Sequence, residues 1–291
     1  MTEIACVVKR ANILGEGPVW DAARRRLYWV DIKGRRLEWF EPASGADGGL
    51  DLAVMVSSVA PRASGQGLLA AAKPGLGVLD PDTGAFDLRL VPEPDRPGNR
   101  PNDGNVDLAG RYWFGTMDDG EREASGGVFR LDADWICARV IDGMVIPNTL
   151  VCSPDGRTLY VADSAHGLLD AADIDPTTGA LGPRRAFVRT TGEGVGPDGS
   201  AVDAEGGVWN AEWGGARLVR YAPDGRVDRV VALPVRQPTS CAFGGPDLAT
   251  LYVTTARVGL SEEALAAQPW AGSLLAFDPG VRGLALPPFA G

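Results

Sequence analysis

Six times along the chain a turn rich in Asp, Pro and Gly leads into a short apolar strand. The six units are "WDAARRRLYWVDI", "PRASGQGLLAAAK", "VDLAGRYWFGTM", "CSPDGRTLYVAD", "VDAEGGVWNAEW" and "FGGPDLATLYVTT". Most run on into a partner strand that ends in another turn, as in "LEWFEPASG", "GVLDPDTG" and "SLLAFDPG". A repeat of about 40–50 residues that forms only a small antiparallel sheet cannot bury its own faces, so the units must stack on one another. Six such units predict an all-β fold, a six-bladed β-propeller, with residues 1–291 as a single domain. Strands such as "LYWV" and "LYVT" are apolar on both faces, which suits blades packed face to face rather than a sheet with one wet side. The segment around Cys6–Val8 is expected to complete the last blade and close the ring, removing exposed strand edge. The best helical stretch is "LSEEALAAQ" at 260–268, with Ser261 as N-cap and two acids in the first turn.

Charge and composition then exclude several functions. A net charge of −10 argues against nucleic acid and anionic membrane as partners. No run of about 18 apolar residues is present to span a bilayer, and the N-terminus lacks the basic-then-apolar pattern of a signal peptide. Cys6, Cys137, Cys152 and Cys241 lie far apart without a CxxC pair, which argues against a zinc ribbon and for a reducing compartment. The expectation is a cytoplasmic protein, a monomer or weak oligomer, with a small-molecule ligand. His166 is the single histidine, so a His-rich metal site is impossible and a Ser-His-Asp triad would have to use that residue.

One register position repeats with the units. Counting back five residues from the first residue of each turn reaches Glu16, Ser57, Asn102, Asn148 and Asp198, and in the sixth unit Thr239 or Ser240. In a propeller, equivalent positions lie on a circle around the central channel. The circle either lines a water-filled tunnel or builds a site. In the second case Glu16, Asn148 and Asp198 form an oxygen-donor cation site, and Arg100 and Asn102 grip a ligand. Facing carboxylates repel unless a cation lies between them or one takes a proton. Oxygen donors without His or Cys suit Ca²⁺, Mg²⁺ or Mn²⁺.

At these residues the chain resembles the senescence-marker-protein/gluconolactonase/regucalcin family. The blocks "LGEGPVWD", "NRPNDGNVDLAGRYWFGTM", "PNTLVCSPDGRTLYVADS", "GPDGSAVDAEGGVW" and "CAFGGPDLATLYVTTAR" carry the resemblance, in family order and over nearly the whole length. It implies a six-bladed propeller that binds one divalent metal and opens sugar-acid lactones, pentono- or gluconolactones among them. Glu16, Asn148 and Asp198 match metal ligands, and Asp198 also matches the general base. Arg100 and Asn102 match substrate-binding positions. The second acid that some members carry after "GTM" falls here on Gly120, so Asp119 or the shifted Glu121 takes its role in the lid-like stretch "MDDGEREASGG". "MDDGE" is closer to the pentonolactone (xylonolactonase-like) members than to the animal proteins. The family also includes proteins described as non-catalytic calcium-binding regulators, which is the alternative reading.

Other signals reduce to structure. "DPDTG" and "DIDPTTG" lack the glycine and glutamate of a calcium loop and read as turns. Trp20, Trp29, Trp113 and Trp209 read as packing between blades. Trp213 and Trp270 lie nearer turns, where either could wall a pocket, and His166 sits near the expected channel mouth.

Overall fold

The structure, a computed structural model describing residues 3–291, contains six four-stranded antiparallel sheets. Blade 1 comprises Gly15–Asp21, Arg26–Asp31, Arg36–Glu41 and Ala46–Asp51, from the channel outward. The innermost strands of blades 2 to 6 are Val56–Pro61, Asn99–Val106, Pro147–Cys152, Gly196–Val202 and Pro238–Gly244. Neighbouring inner strands touch in cyclic order, the last returning to the first, so the sheets close into a propeller. Closure is made by Ala5–Val8, which pairs with Leu274–Phe277 as the outer strand of blade 6. The chain's first strand thus fastens its last blade.

Period-two alternation explains why the strands are apolar on both faces. In "LYWV", Leu27 and Trp29 pack against Tyr252 and Leu274 of blade 6, whereas Tyr28 and Val30 pack against Leu68 and Ala70 of blade 2. Six separate clusters fill the six interfaces between blades. Each blade is therefore sealed on both sides, and the core is a ring rather than a centre. Trp29, Trp113 and Trp209 are fully buried in it, as expected from their place in the repeat.

The recurrent turn aspartate has its own cause. Asp107 accepts hydrogen bonds from the N–H groups of Ala109 and Arg111, and its second oxygen accepts the Trp113 indole at 2.8 Å. Asp203 repeats the pattern with Glu205, Gly207 and Trp209. One carboxylate thereby satisfies the turn and anchors the aromatic that fills the next interface. Gly110 and Gly206, at φ 79° and 86°, close these turns where a side chain would be strained. Asp80 and Asp175 cap their own turns in the same way, so neither segment is a calcium loop. The helix forms at Glu262–Ala267, with Ser261 accepting the Ala264 N–H, inside the turn that carries blade 6 over the upper mouth.

One feature has no counterpart in the repeat. After Phe277 the chain crosses the underside of the ring. It is held by Gly283 N–H to Leu248 O and by the bridge of Gly283 to Asp203 of blade 5. Across the channel, Phe289 N–H donates to Pro61 O of blade 2, and the fully buried Phe289 ring meets Trp135 edge-on. Blades 2 and 5 are opposite each other, so this segment is a strap across the lower mouth.

Candidate active site

Each inner strand breaks register at the same place: between Glu16 and Val19, Val56 and Ser58, Pro101 and Gly104, Asn148 and Val151, Pro197 and Ser200, and Pro238 and Ser240. A bulge bends the strand and re-aims its side chains. Here it turns the repeating position into the channel near its upper end. The distortion extends to the backbone of blade 4, where Thr149 and Leu150 hold φ of 78° and 49°. Glu16, Ser57, Asn102, Asn148, Asp198 and Thr239 are all buried.

Four of these six residues donate toward the next blade, and each time the acceptor is the carbonyl just before that blade's equivalent residue. Ser57 Oγ donates to Pro101 O at 2.6 Å, Asn102 Nδ2 to Pro147 O at 3.1 Å, and Thr239 Oγ1 to Gly15 O at 2.5 Å. Asn148 does so through Ser164, whose hydroxyl takes the Asn148 Nδ2–H and donates to Pro197 O. The circle stitches the blades together. Glu16 and Asp198 interrupt it, since an acid in place of Ser, Thr or Asn makes no such donation to the next blade, and Glu16 accepts from its own Gly17 N–H instead. These two positions are not explained by stitching.

Their electrostatics are costly. Burial raises the Glu16 carboxyl well above its ordinary value, the charge of Asp103 adds to the shift, and the Gly17 N–H and Arg100 only partly offset it. Burial, then Glu16 and then Asp103, drive Asp198 upward as well. Asp103 itself is pushed up to about 6 by burial, against hydrogen bonds from Gly104 and Thr149. Three buried carboxylates thus act on one another. Asp103 received no role from the sequence: in a regular strand the neighbour of Asn102 faces away, and only the bulge brings both to the channel.

The donor set fits a hard divalent cation. Among the described residues no three His, Cys, Asp or Glu side chains converge on a metal position by themselves, so an ion would need the Asn148 amide with Glu16 and Asp198. Ser164 fixes that amide with Oδ1 toward the channel, where it accepts Asn102 Nδ2–H at 2.9 Å and keeps a second lone pair. Two mutually repelling carboxylates beside an oriented carbonyl oxygen are the ligands that Ca²⁺, Mg²⁺ or Mn²⁺ takes, and a cation would remove the repulsion.

Above this layer Arg100, buried to 2% exposure, donates from Nη1 to Asn102 Oδ1 and from Nε to Asp119 at 3.1 Å. Asp119 is thus tied directly to Arg100. Glu121 sits on an exposed turn at φ 58°, although its charge reaches both Arg100 and Asp198. Burial would raise the Asp119 carboxyl, but hydrogen bonds and charges from Lys73 and Lys33 outweigh it and hold it down to about 2. His166 is exposed on the rim with Nδ1 3.0 Å from Asp163, apart from the carboxylates. Trp270 packs into the interface of blades 5 and 6, and Trp213 ends the second strand of blade 5. A larger cavity, about 510 Å³, lies at the lower end under the strap. Its walls include Val19, Val106 and Val202, and of the three interacting carboxylates only Asp103 reaches it.

Fold and site together define a six-bladed propeller with a buried carboxylate layer at one mouth of its channel. The model of the SMP-30/gluconolactonase/LRE-like region matches residues 14–257, and the chain belongs to that family. It is 40% identical to the L-arabinolactonase of Azospirillum brasilense, over 96% of this chain and 93% of that one. It is 37% identical to the 6-deoxy-6-sulfogluconolactonase of Pseudomonas putida over 99% of both. Among solved structures, the calcium-binding protein regucalcin from Agrobacterium tumefaciens superimposes with a TM-score of 0.93 at 33% identity, covering 100% of this chain and 98% of that one.

Proposed function

We propose that this chain is a metal-dependent hydrolase that opens sugar-acid lactones to the free acids. The observation that carries the reading is the break in the inter-blade stitching. Four channel positions spend their donors on the fold, while Glu16 and Asp198 are kept as buried acids that destabilise each other. Such an arrangement is retained at sites of chemistry more often than for stability. Relatives named as lactonases, matched over nearly their full lengths, supply the reaction class.

Glu16, Asn148 and Asp198 would hold the ion. When bound, a divalent cation supplies positive charge for the lactone carbonyl oxygen as it becomes an oxyanion. Asp198 orients the attacking water and accepts its proton. The water oxygen bonds to the carbonyl carbon, the ring C–O bond breaks, and the ring oxygen leaves as a hydroxyl carrying that proton. Asn102 and Arg100 hold substrate hydroxyls, contributing orientation more than chemistry. Asp119 and its lysines fix the Arg100 guanidinium from above. A lactone is already an activated ester, so placement of water and charge suffices, with no covalent intermediate. The four cysteines are unpaired, which favours the reducing environment of the cytoplasm.

Pentono- and hexonolactones, xylonolactone included, are the substrates to assay, with calcium among the metals. Acid release from such a panel should stop with excess chelator and return with a divalent metal. Turnover at the full rate in chelator would overturn metal dependence. Relatives named regucalcin raise the alternative of a non-catalytic calcium binder; calcium uptake without hydrolysis of any lactone would favour it.

A further inference from the structure

Blades 1, 2 and 3 each raise the turn between their second and third strands over the upper mouth, and these turns carry Lys33, Lys73 and Asp119. One carboxylate there serves three cations. Lys33 Nζ lies 3.3 Å from Asp119 Oδ1, Lys73 Nζ 2.6 Å from Oδ2, and Arg100 Nε 3.1 Å from Oδ1. Arg100 answers to Asp119, Glu121 and, from the layer below, Glu16, whereas Lys33 and Lys73 both have Asp119 as their ion-pair partner, two ammonium groups to one carboxylate. That is unusual for a chain of net charge −10. The corresponding turns of blades 4 and 5, Ser164–Gly167 and Gly214–Ala216, contain no lysine or arginine, and that of blade 6, residues 256–273, sets Arg257 against Glu262 and Glu263, so the lysines lie on one side of the mouth.

The lysines are not used up by Asp119. An ammonium has three donors, and each lysine gives one to this carboxylate. Their side chains remain 30% and 41% exposed, so the other donors face water. Beside them a cavity of about 250 Å³ opens between blades 2 and 3, lined by Lys73, Glu93, Arg96, Asn99 and Arg100, with the Glu93 carboxylate paired to Arg96 and Arg139. Hydrogen bonds run from this rim down to the carboxylate layer through Arg100, Asn102 and Asn148. A sugar lactone with its carbonyl over that layer would therefore direct its far end toward the lysines.

We propose that Lys33 and Lys73 form a subsite for an anionic group at the far end of the substrate, so that lactones carrying a second acidic group are preferred over neutral ones. Carboxylate, sulfonate and phosphate share the feature that matters, an oxyanion able to accept from both ammonium groups alongside Asp119. The inference rests on the lactonase reading and adds the substrate class to it.

Kinetics on matched substrates tests this: a neutral hexonolactone, its counterpart with the terminal hydroxymethyl oxidised to carboxylate, and one sulfonated there. The expected result is a kcat/KM about tenfold higher for the anionic lactones, carried by KM, as for a charge-assisted contact at a part-exposed site. Raised salt should shrink the ratio. The double variant K33Q/K73Q should bring the ratio toward one, and K33R/K73R, which keeps the charge, should restore it. A higher ratio for one acid than the other would identify which oxyanion fits best. A wild-type ratio of one or below, or a ratio unchanged in K33Q/K73Q, overturns the subsite. If no lactone is hydrolysed, the lactonase reading falls instead. The subsite is then judged by calorimetric binding of the same lactones, where equal affinity for neutral and anionic forms overturns it.

Discussion

At the scale of single residues, the same register position does two jobs around one circle. Where it is Ser, Thr or Asn, its donor ties one blade to the next. Where it is Glu16 or Asp198, the tie is absent and a buried carboxyl, driven upward by burial and its neighbours, takes its place. Asp198→Asn separates the roles given to that residue, because the amide keeps an oxygen for an ion but cannot take a proton from water. The expected outcome, at saturating metal, is a kcat lower by about 10²–10⁴, the usual range for loss of a general base, with circular dichroism retained. Wild-type turnover in this variant would remove Asp198 from the chemistry. The repeating position was legible in the sequence because its spacing to the turn is constant. Asp103 was not, since its inward orientation comes from a bulge that spacing does not encode. Lys33 and Lys73 were equally silent: a lysine in a turn reads as ordinary solvated charge until its partner from a neighbouring blade is known.

At the scale of elements, the turn aspartates show how local and tertiary structure share one group. Asp203 accepts two turn N–H groups and the Trp209 indole, and it pairs with Arg220, whose other nitrogens reach Glu205 and Asp228. Replacing it leaves the Trp209 indole unpaired and takes from Arg220 its one buried partner, leaving it the exposed Glu205 and Asp228. Asp203→Ala is therefore expected to cost about 3–5 kcal/mol, the range for breaking a buried pair from one side, measured as a lowered urea midpoint. A loss near zero would mean that the turn relaxes and water replaces the carboxylate. The strands and turns were readable because each repeat states them again, and the capped helix at Glu262–Ala267 was readable from Ser261 and its acids. The six bulges were not, because they depend on how inner strands crowd around the channel.

At the scale of the whole molecule, two devices hold the ring. Ala5–Val8 closes blade 6, and the strap joins opposite blades beneath the lower mouth. The closing strand was foreseeable, since an open propeller leaves an unpaired edge. The strap was not, because "LALPPFAG" has neither period nor repeat. Its anchor is Phe289, so Phe289→Ala should cost about 3–5 kcal/mol while leaving lactone turnover at the opposite mouth in place. Loss of turnover in a folded variant would show that the two mouths are coupled.

The central claim is that Glu16, Asn148 and Asp198 share one divalent ion, and calorimetric metal titration of the chelator-stripped wild type beside Glu16→Gln tests it most directly. The expected result is one ion per chain for the wild type and affinity at least about tenfold weaker in the variant, since one of the two carboxylate ligands loses its charge. Equal affinity in both proteins would contradict the claim and put the ion, and the chemistry built on it, elsewhere.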